Sequence, residues 1–140
     1  MSAEKTYHAS CLCSAVKFTL VGDPFHFVIC NCRNCKKAAG SAFMANIMFK
    51  PEQVSFTQGE DTVSEFQDCN TISGRALTRT FCSKCGAQLF LIPAARNMLI
   101  THPSLIEEEV AWVPKKESHP HDRWSWVKEI AFHPKQKPKL

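Results

Sequence analysis

The chain has 140 residues, of which 44% are hydrophobic and 21% charged, and a formal net charge of +4 at pH 7. This length suits one ordinary globular domain over residues 1–140, and the charge is too small to indicate nucleic-acid binding. Because no apolar stretch is long enough for a signal peptide or a membrane span, we expect an intracellular protein that contacts neither membrane nor nucleic acid. We expect it in the cytoplasm, with the nucleus as the alternative.

Most of the chain has the pattern of short β-strands separated by turn residues. Residues 22–24 and Gly59 are typical of turns, and Lys50 and Pro51 end an apolar stretch. The predicted strands are residues 15–21, 25–29, 42–49, 54–56, 63–66, 76–81, 89–92 and 98–101. Short strands joined by turns predict an all-β or mainly β domain.

One short helix is predicted over residues 33–39, with Gly40 as its C-terminal stop. After Pro103 the pattern weakens. There we interpret residues 107–109 as a solvated acidic face, residues 114–120 as a loop and residues 135–140 as a basic tail.

Seven of the eight cysteines fall into three tight clusters: Cys11 and Cys13, the triplet Cys30, Cys32 and Cys35, and Cys82 and Cys85. Thiolates two or three residues apart reach one soft metal ion together, and zinc is the commonest such ion. Intracellular thiols stay reduced, which favours metal over disulfides, although the even number of cysteines leaves disulfides as an alternative.

The two outer pairs predict one closed four-sulfur site, because Cys82 to Cys85 has the spacing of a zinc knuckle and Gly86 tolerates the positive φ of such a turn. A zinc ion there would join segments far apart in sequence and would be structural. The alternative is a set of reduced, buried thiols without metal.

The triplet predicts an open three-sulfur site, whose fourth position could take water, a substrate thiolate, Cys69 or a histidine. An exchangeable position would let zinc lower the pKa of an incoming thiol, whereas a permanent protein ligand would make the site structural. Cys69 is more simply a spare thiol. His119 and His121 lie in a segment that could reach the site, although a surface loop is the simpler interpretation.

Basic residues surround the cysteines in the sequence. They could balance the charge of the thiolates or attract an anionic ligand, and they are Arg33, Lys36, Lys37, Arg79 and Lys84.

Three blocks of sequence, 11–18, 30–43 and 79–90, resemble the glutathione-dependent formaldehyde-activating enzyme family, which also contains centromere protein V. The resemblance implies a β-tent of twisted, mostly antiparallel sheets stabilised by two zinc ions. It implies a structural zinc on the outer cysteine pairs and a catalytic zinc on the triplet. The family often has histidine where this chain has Asn31, and glycine where it has Ser14.

The resemblance further implies a carbon–sulfur lyase that acts on an adduct of glutathione, its co-substrate, with a small aldehyde. Arg33 and Lys36 are candidates for holding the carboxylates of glutathione. The alternative is a zinc-stabilised protein-interaction module without catalysis. Whether the chain forms a homo-oligomer is left open.

Overall fold

The computed structural model describes residues 3–130 and 132. Its α-helix is α1 (Arg33–Ala39), and its strands are β1 (Thr6–Ser10), β2 (Lys17–Val21), β3 (His26–Cys30), β4 (Met44–Phe49), β5 (Val54–Gln58), β6 (Val63–Asp68), β7 (Leu77–Cys82), β8 (Gln88–Pro93), β9 (Leu99–Thr101) and β10 (Lys116–Ser118). This composition confirms the prediction of a mainly β fold. The predicted basic tail lies outside the described residues.

The strands form two sheets. A three-stranded sheet has the order β1-β2-β5, and a seven-stranded sheet has the order β10-β3-β4-β9-β8-β7-β6. Neighbouring strands run antiparallel except for β10, which lies parallel to β3. The prediction of a loop over residues 114–120 is therefore wrong at 116–118. Three residues are too few to show a periodic pattern, and their partner strand is more than eighty positions away in sequence.

The core lies where alternating apolar residues of the sheets meet. In β2, Phe18 and Leu20 are buried while Lys17 is exposed, which is the alternation expected of a strand with one face on the core. The rings of Phe18 and Phe90 pack with their centroids 4.7 Å apart. Each such side chain contributes roughly 1.5–3 kcal/mol by leaving water. The cysteines Cys11 and Cys82 belong to this cluster, so the core and the first cysteine group share one environment.

Helix α1 begins directly after β3 and confirms the prediction over residues 33–39. Its N-cap is Cys32, whose sulfur accepts a hydrogen bond from the backbone N–H of Cys35 at 3.3 Å. The helix ends at Gly40, whose N–H donates to the carbonyl of Lys36. Because the strand and the helix are joined by only two residues, the end of β3 and the first turn of α1 are held side by side. Among the described residues no helix has the length and apolar character needed to cross a membrane.

The acidic stretch over residues 107–109 does more than face solvent. The backbone N–H of Glu107 donates to the carbonyl of His8 at 2.8 Å, and its carboxylate accepts from the hydroxyl of Ser10. The carboxylate of Glu108 accepts from the backbone N–H of His8 at 2.8 Å and lies 2.6 Å from its Nδ1. The interpretation as a purely solvated face is thus incomplete, because Glu107 and Glu108 bind the segment to the outer edge of β1.

Candidate metal centres and the adjoining cavity

The first cysteine group is assembled from both sheets. Cys11 and Cys13 follow β1, Cys82 ends β7 and Cys85 lies on the turn before β8. Their four sulfurs lie within 4.8 Å of one another. Sulfurs on a tetrahedral zinc with Zn–S bonds of about 2.3 Å would be about 3.8 Å apart. The observed separations of 3.6 Å between Cys11 and Cys13 and 3.8 Å between Cys13 and Cys82 fit this value, so the group could hold zinc.

Two tight turns present these four sulfurs. In one turn the backbone N–H of Ser14 donates to the carbonyl of Cys11, and in the other that of Gly86 donates to the carbonyl of Cys82. Ser14 and Gly86 both have positive φ, +63° and +74°. The prediction for Gly86 is confirmed. Ser14 adopts the same left-handed conformation although it is not a glycine. The family that the sequence resembles often has glycine at this position.

Backbone N–H groups favour the thiolate form of two of these cysteines. The N–H of Ala87 lowers the pKa of Cys85 to about 6. Burial acts against ionisation of Cys11, but the N–H of Val16, which donates to its sulfur at 3.3 Å, and the thiols of Cys13 and Cys82 lower its pKa overall. Thiolates are the form that binds zinc, so the turns are suited to a metal before it arrives.

The second cysteine group lies where β3 meets α1. Cys30 is the last residue of the strand, Cys32 caps the helix and Cys35 is in its first turn. Their sulfurs lie within 4.8 Å of one another, and in the described part of the chain no further Cys, His, Asp or Glu side chain joins them within that distance. The group could hold zinc with three protein ligands, which leaves a fourth position for another molecule.

The triplet is buried in a small apolar cluster with Met44, Leu91 and Ile100. A hydrogen bond from the thiol of Cys35 is the main cause that lowers the pKa of Cys30 to about 6, and the same contact raises the pKa of Cys35. The contact therefore favours one thiolate in the group, that of Cys30, and a zinc ion held there would favour ionisation of the other two thiols through its positive charge.

Strand β10 brings the C-terminal part of the chain to the triplet. The backbone N–H of Asn31 donates to the carbonyl of Ser118 at 3.1 Å, and its side-chain amide donates to the carboxylate of Glu117 at 2.7 Å. Glu117 also accepts two hydrogen bonds from Arg123, at 2.8 and 2.6 Å. Asn31 is completely buried. It therefore serves as an anchor for β10 at the position between the first two triplet cysteines.

A cavity of about 540 Å³ opens beside the triplet. Its wall includes Cys32, Cys35 and Met98, and its rim includes His119, the residue that follows β10. His119 has positive φ, +53°, and so leaves the strand at an abrupt angle. The structure thus places His119 at this cavity, which the sequence offered only as the less favoured interpretation. A volume of this size is typical of sites for small molecules.

The same cavity is lined by the buried Arg79 of β7. Its Nε donates to a carboxylate oxygen of Asp68 at 2.8 Å, and the side-chain amide of Asn34 donates to both oxygens of that carboxylate at 3.1 and 3.0 Å. Asn34 lies on α1 between Cys32 and Cys35, so this network ties the triplet helix to β6 and β7.

Arg33 and Lys36 line a different cavity, on the other side of α1, together with Trp124 and Trp126. The ammonium of Lys36 donates to the carbonyl of Asp122 at 2.6 Å and lies 4.2 Å from the centre of the Trp124 ring. These two cationic residues are thus not brought to the cavity beside Cys32 and Cys35. Trp112 lies apart from these two tryptophans, because its indole ring packs against the rings of Tyr7 and Phe49.

All eight cysteines lie within the described residues, and each is a free thiol. The structure therefore contains none of the disulfides that the even number of cysteines had left as an alternative. Cys69 is exposed at the end of β6 and belongs to neither cysteine group, as expected of a spare thiol. His119, His121 and Asp122 bring potential ligand atoms within 4.8 Å of one another, but His121 is exposed and these residues are separate from the triplet group.

The sequence shows further similarity when it is compared with known proteins. The family model described as glutathione-dependent formaldehyde-activating enzyme matches residues 6–122, a span that contains both cysteine groups. A crystal structure of a Rhodobacter sphaeroides protein superposes with a TM-score of 0.58 at 13% sequence identity, covering 74% of this chain and 90% of that chain. At this identity the likeness concerns the fold alone. No curated protein matches the chain.

Proposed function

Because the chain belongs to the glutathione-dependent formaldehyde-activating enzyme family, we propose that it is a carbon–sulfur lyase acting on the adduct of glutathione with a small aldehyde. In the direction of synthesis, the glutathione sulfur bonds to the carbonyl carbon while the thiol proton ends on the carbonyl oxygen. In the reverse direction the same bond breaks. No atom is lost, and no oxidant or reductant is needed.

The observation that carries the proposal is the division of the cysteines into a group of four and a group of three beside a cavity. Four sulfurs complete the coordination of zinc, so we assign Cys11, Cys13, Cys82 and Cys85 to a structural ion. Three sulfurs leave one position, so we assign Cys30, Cys32 and Cys35 to a catalytic ion. Zinc held there would favour the thiolate form of a thiol that reaches the cavity.

The surroundings of the triplet suit this role. The sulfur of Cys32 accepts the N–H of Cys35, which fixes its direction. Met44, Leu91 and Ile100 keep water from the buried side of the group. The cavity then gives a thiol one direction of approach, from the side lined by Met98 and His119. Holding two reactants in a fixed orientation is itself a large part of catalysis of an addition reaction.

A protein-interaction module is the second candidate, and one observation favours it. Trp124 and Trp126 are 48% and 71% exposed as residues and lie beside the cationic residues of α1. Exposed tryptophans next to basic residues are common in surfaces that bind partners. This surface is separate from the cavity at the triplet, so the two candidates predict different consequences of the same substitution.

The two candidates are distinguished by zinc content and glutathione chemistry in the wild type and in Cys35→Ser. For an enzyme, we expect Cys35→Ser to lose one zinc, to keep its fold and to lose turnover with a panel of small aldehydes. Cys69→Ser is the matched control and should keep both ions and full turnover, because Cys69 is exposed and outside both groups. Unfolding of Cys35→Ser, or absence of turnover with every aldehyde in the zinc-loaded wild type, would favour the interaction module.

A further inference from the structure

The guanidinium of Arg79 is buried with part of its hydrogen-bonding capacity unused. The side chain is 9% exposed, as is that of its partner Asp68. The nitrogen Nη1 is buried and has no hydrogen-bond partner among the described residues. Leaving a donor of a charged group unpaired away from water is costly, so such a group calls for an explanation.

The carboxylate that pairs with Arg79 is already engaged through both of its oxygens. Asp68 accepts from Nε of Arg79 and from the amide of Asn34 through both of its oxygens. Burial raises the pKa of Asp68, but the hydrogen bonds from Arg79 and Asn34 outweigh it and lower the pKa overall, so the group is a carboxylate at neutral pH. Asp68 therefore orients the guanidinium through one edge and leaves its other donors for a second acceptor.

Arg79 lines two cavities, and Asp68 lines only the smaller one, of about 420 Å³, so a second, anionic acceptor is favoured on the side of the larger one. Arg79 lines the 540 Å³ cavity, and so does Arg75, which is exposed at the rim. No Asp or Glu is among the residues that line this cavity. The wall is therefore cationic, with a preoriented guanidinium at one place and the sulfurs of Cys32 and Cys35 at another. A planar guanidinium binds carboxylates through two parallel hydrogen bonds better than any other side chain does.

We propose that Arg79 is the anchor for a carboxylate of the thiol substrate, and that it selects thiols that carry a carboxylate over neutral ones. The inference rests on the proposed function, since it names the residue that holds glutathione while its sulfur is at the triplet. It places this role on Arg79 rather than on Arg33 and Lys36, which line the opposite side of α1.

The test is binding to the zinc-loaded protein, measured by calorimetry with glutathione and with its diethyl ester, which keeps the thiol and has no carboxylate. We expect the wild type to bind glutathione roughly 10- to 100-fold more tightly than the diester, the range for a charge-assisted hydrogen-bonded pair. Arg79→Met should lose this preference by weakening glutathione binding while leaving diester binding nearly unchanged. Arg96→Met is the matched control, because Arg96 is an exposed arginine next to the cavity that does not line it.

Two further variants keep the test decisive. If removal of Arg79 alone unfolds the protein by leaving Asp68 unpaired, the double variant Asp68→Asn with Arg79→Met removes both charges, and Arg79→Lys keeps the charge but not the fork. Each should lower the preference for glutathione at least about 10-fold. Equal affinity of the wild type for glutathione and the diester, or an unchanged preference in the variants, would overturn the role of Arg79 alone. Failure of the wild type to bind either thiol would instead overturn the proposed function.

Discussion

The backbone N–H of Asn31 donates to the carbonyl of Ser118 at 3.1 Å, a contact that joins the cysteine triplet to a strand 87 positions later in the sequence. Through it, the C-terminal part of the described chain forms one side of the candidate active site. Asn31 lies between Cys30 and Cys32, and Ser118 precedes His119 at the cavity. The pairing of β10 with β3 thus determines where His119 lies at the cavity.

Glu117→Gln tests this link. Glu117 accepts from both Asn31 and Arg123, and the hydrogen bond from Arg123 is the main cause that lowers its pKa below the ordinary value. The side chains of Glu117 and Arg123 are 13% and 23% exposed. We therefore expect the variant to lose about 1–2 kcal/mol of unfolding free energy at pH 7. Urea unfolding measures the loss.

The same substitution predicts a pH dependence. A carboxyl whose pKa is lower in the folded state stabilises the protein above its unfolded pKa, about 4.3 for glutamate, and loses that effect as the pH falls through the folded value. The difference in unfolding free energy between wild type and Glu117→Gln should therefore be constant from neutral pH to about pH 5 and should shrink below it. A difference that stays constant down to pH 3 would show that Glu117 is not stabilised as a carboxylate.

Gly59→Ala tests how closely β5 packs on the first cysteine turn. Gly59 has a φ of +74°, and a Cβ there would lie 2.0 Å from the carbonyl oxygen of Ala15, two residues after Cys13. Gly74 is the matched control, with the same φ of +74° and no atom within 4 Å of an added Cβ. We expect Gly74→Ala to cost about 1 kcal/mol and Gly59→Ala about 3 kcal/mol or more, because overpacking adds to the backbone strain. Equal losses in urea unfolding would mean that the turn yields freely.

Cys82→Ser tests the structural role of the four-cysteine group. Cys82 is completely buried in the core, and the group joins β1, β7 and β8. Structural zinc contributes on the order of 10 kcal/mol in small zinc domains, so we expect this variant to lose zinc and most of its cooperative unfolding. Cys69→Ser, at an exposed cysteine outside both groups, should unfold like the wild type. A Cys82→Ser protein as stable as the wild type would contradict the structural assignment.

Much of the fold could be predicted because its signals are local. The alternation of apolar residues in residues 17–21 and the helix stop at Gly40 depend only on residues that are close in sequence. The structure has β2 and α1 at these positions. Cysteine spacing is equally local, and it identified the two pairs and the triplet, whereas the joining of the two distant pairs into one group followed from the four ligands that a closed zinc site needs. By contrast, β1 was not predicted. Only two of its five side chains are buried, and the others, Thr6, His8 and Ser10, are polar, so the segment carries little apolar pattern. Its strand conformation is stabilised by pairing with β2.

The cavity could not be predicted, because it is formed by contacts distant in sequence. The position of His119 follows from the pairing of Ser118 with Cys30, and the orientation of Arg79 follows from Asp68 and Asn34. No spacing rule connects these residues. Arg79 is the single charged residue of β7, and such a cation within a strand is the one sequence signal that could have indicated a buried ion pair there.

The central claim is that the cysteines hold one saturated zinc ion and one with an exchangeable position. Zinc X-ray absorption of the zinc-loaded wild type tests it most directly, with and without glutathione. Because four cysteines form one group and three the other, we predict an average of about 3.5 sulfurs per zinc, rising to about 4 when glutathione is added. An average of 4 sulfurs without glutathione, or a value that glutathione leaves unchanged, would contradict it.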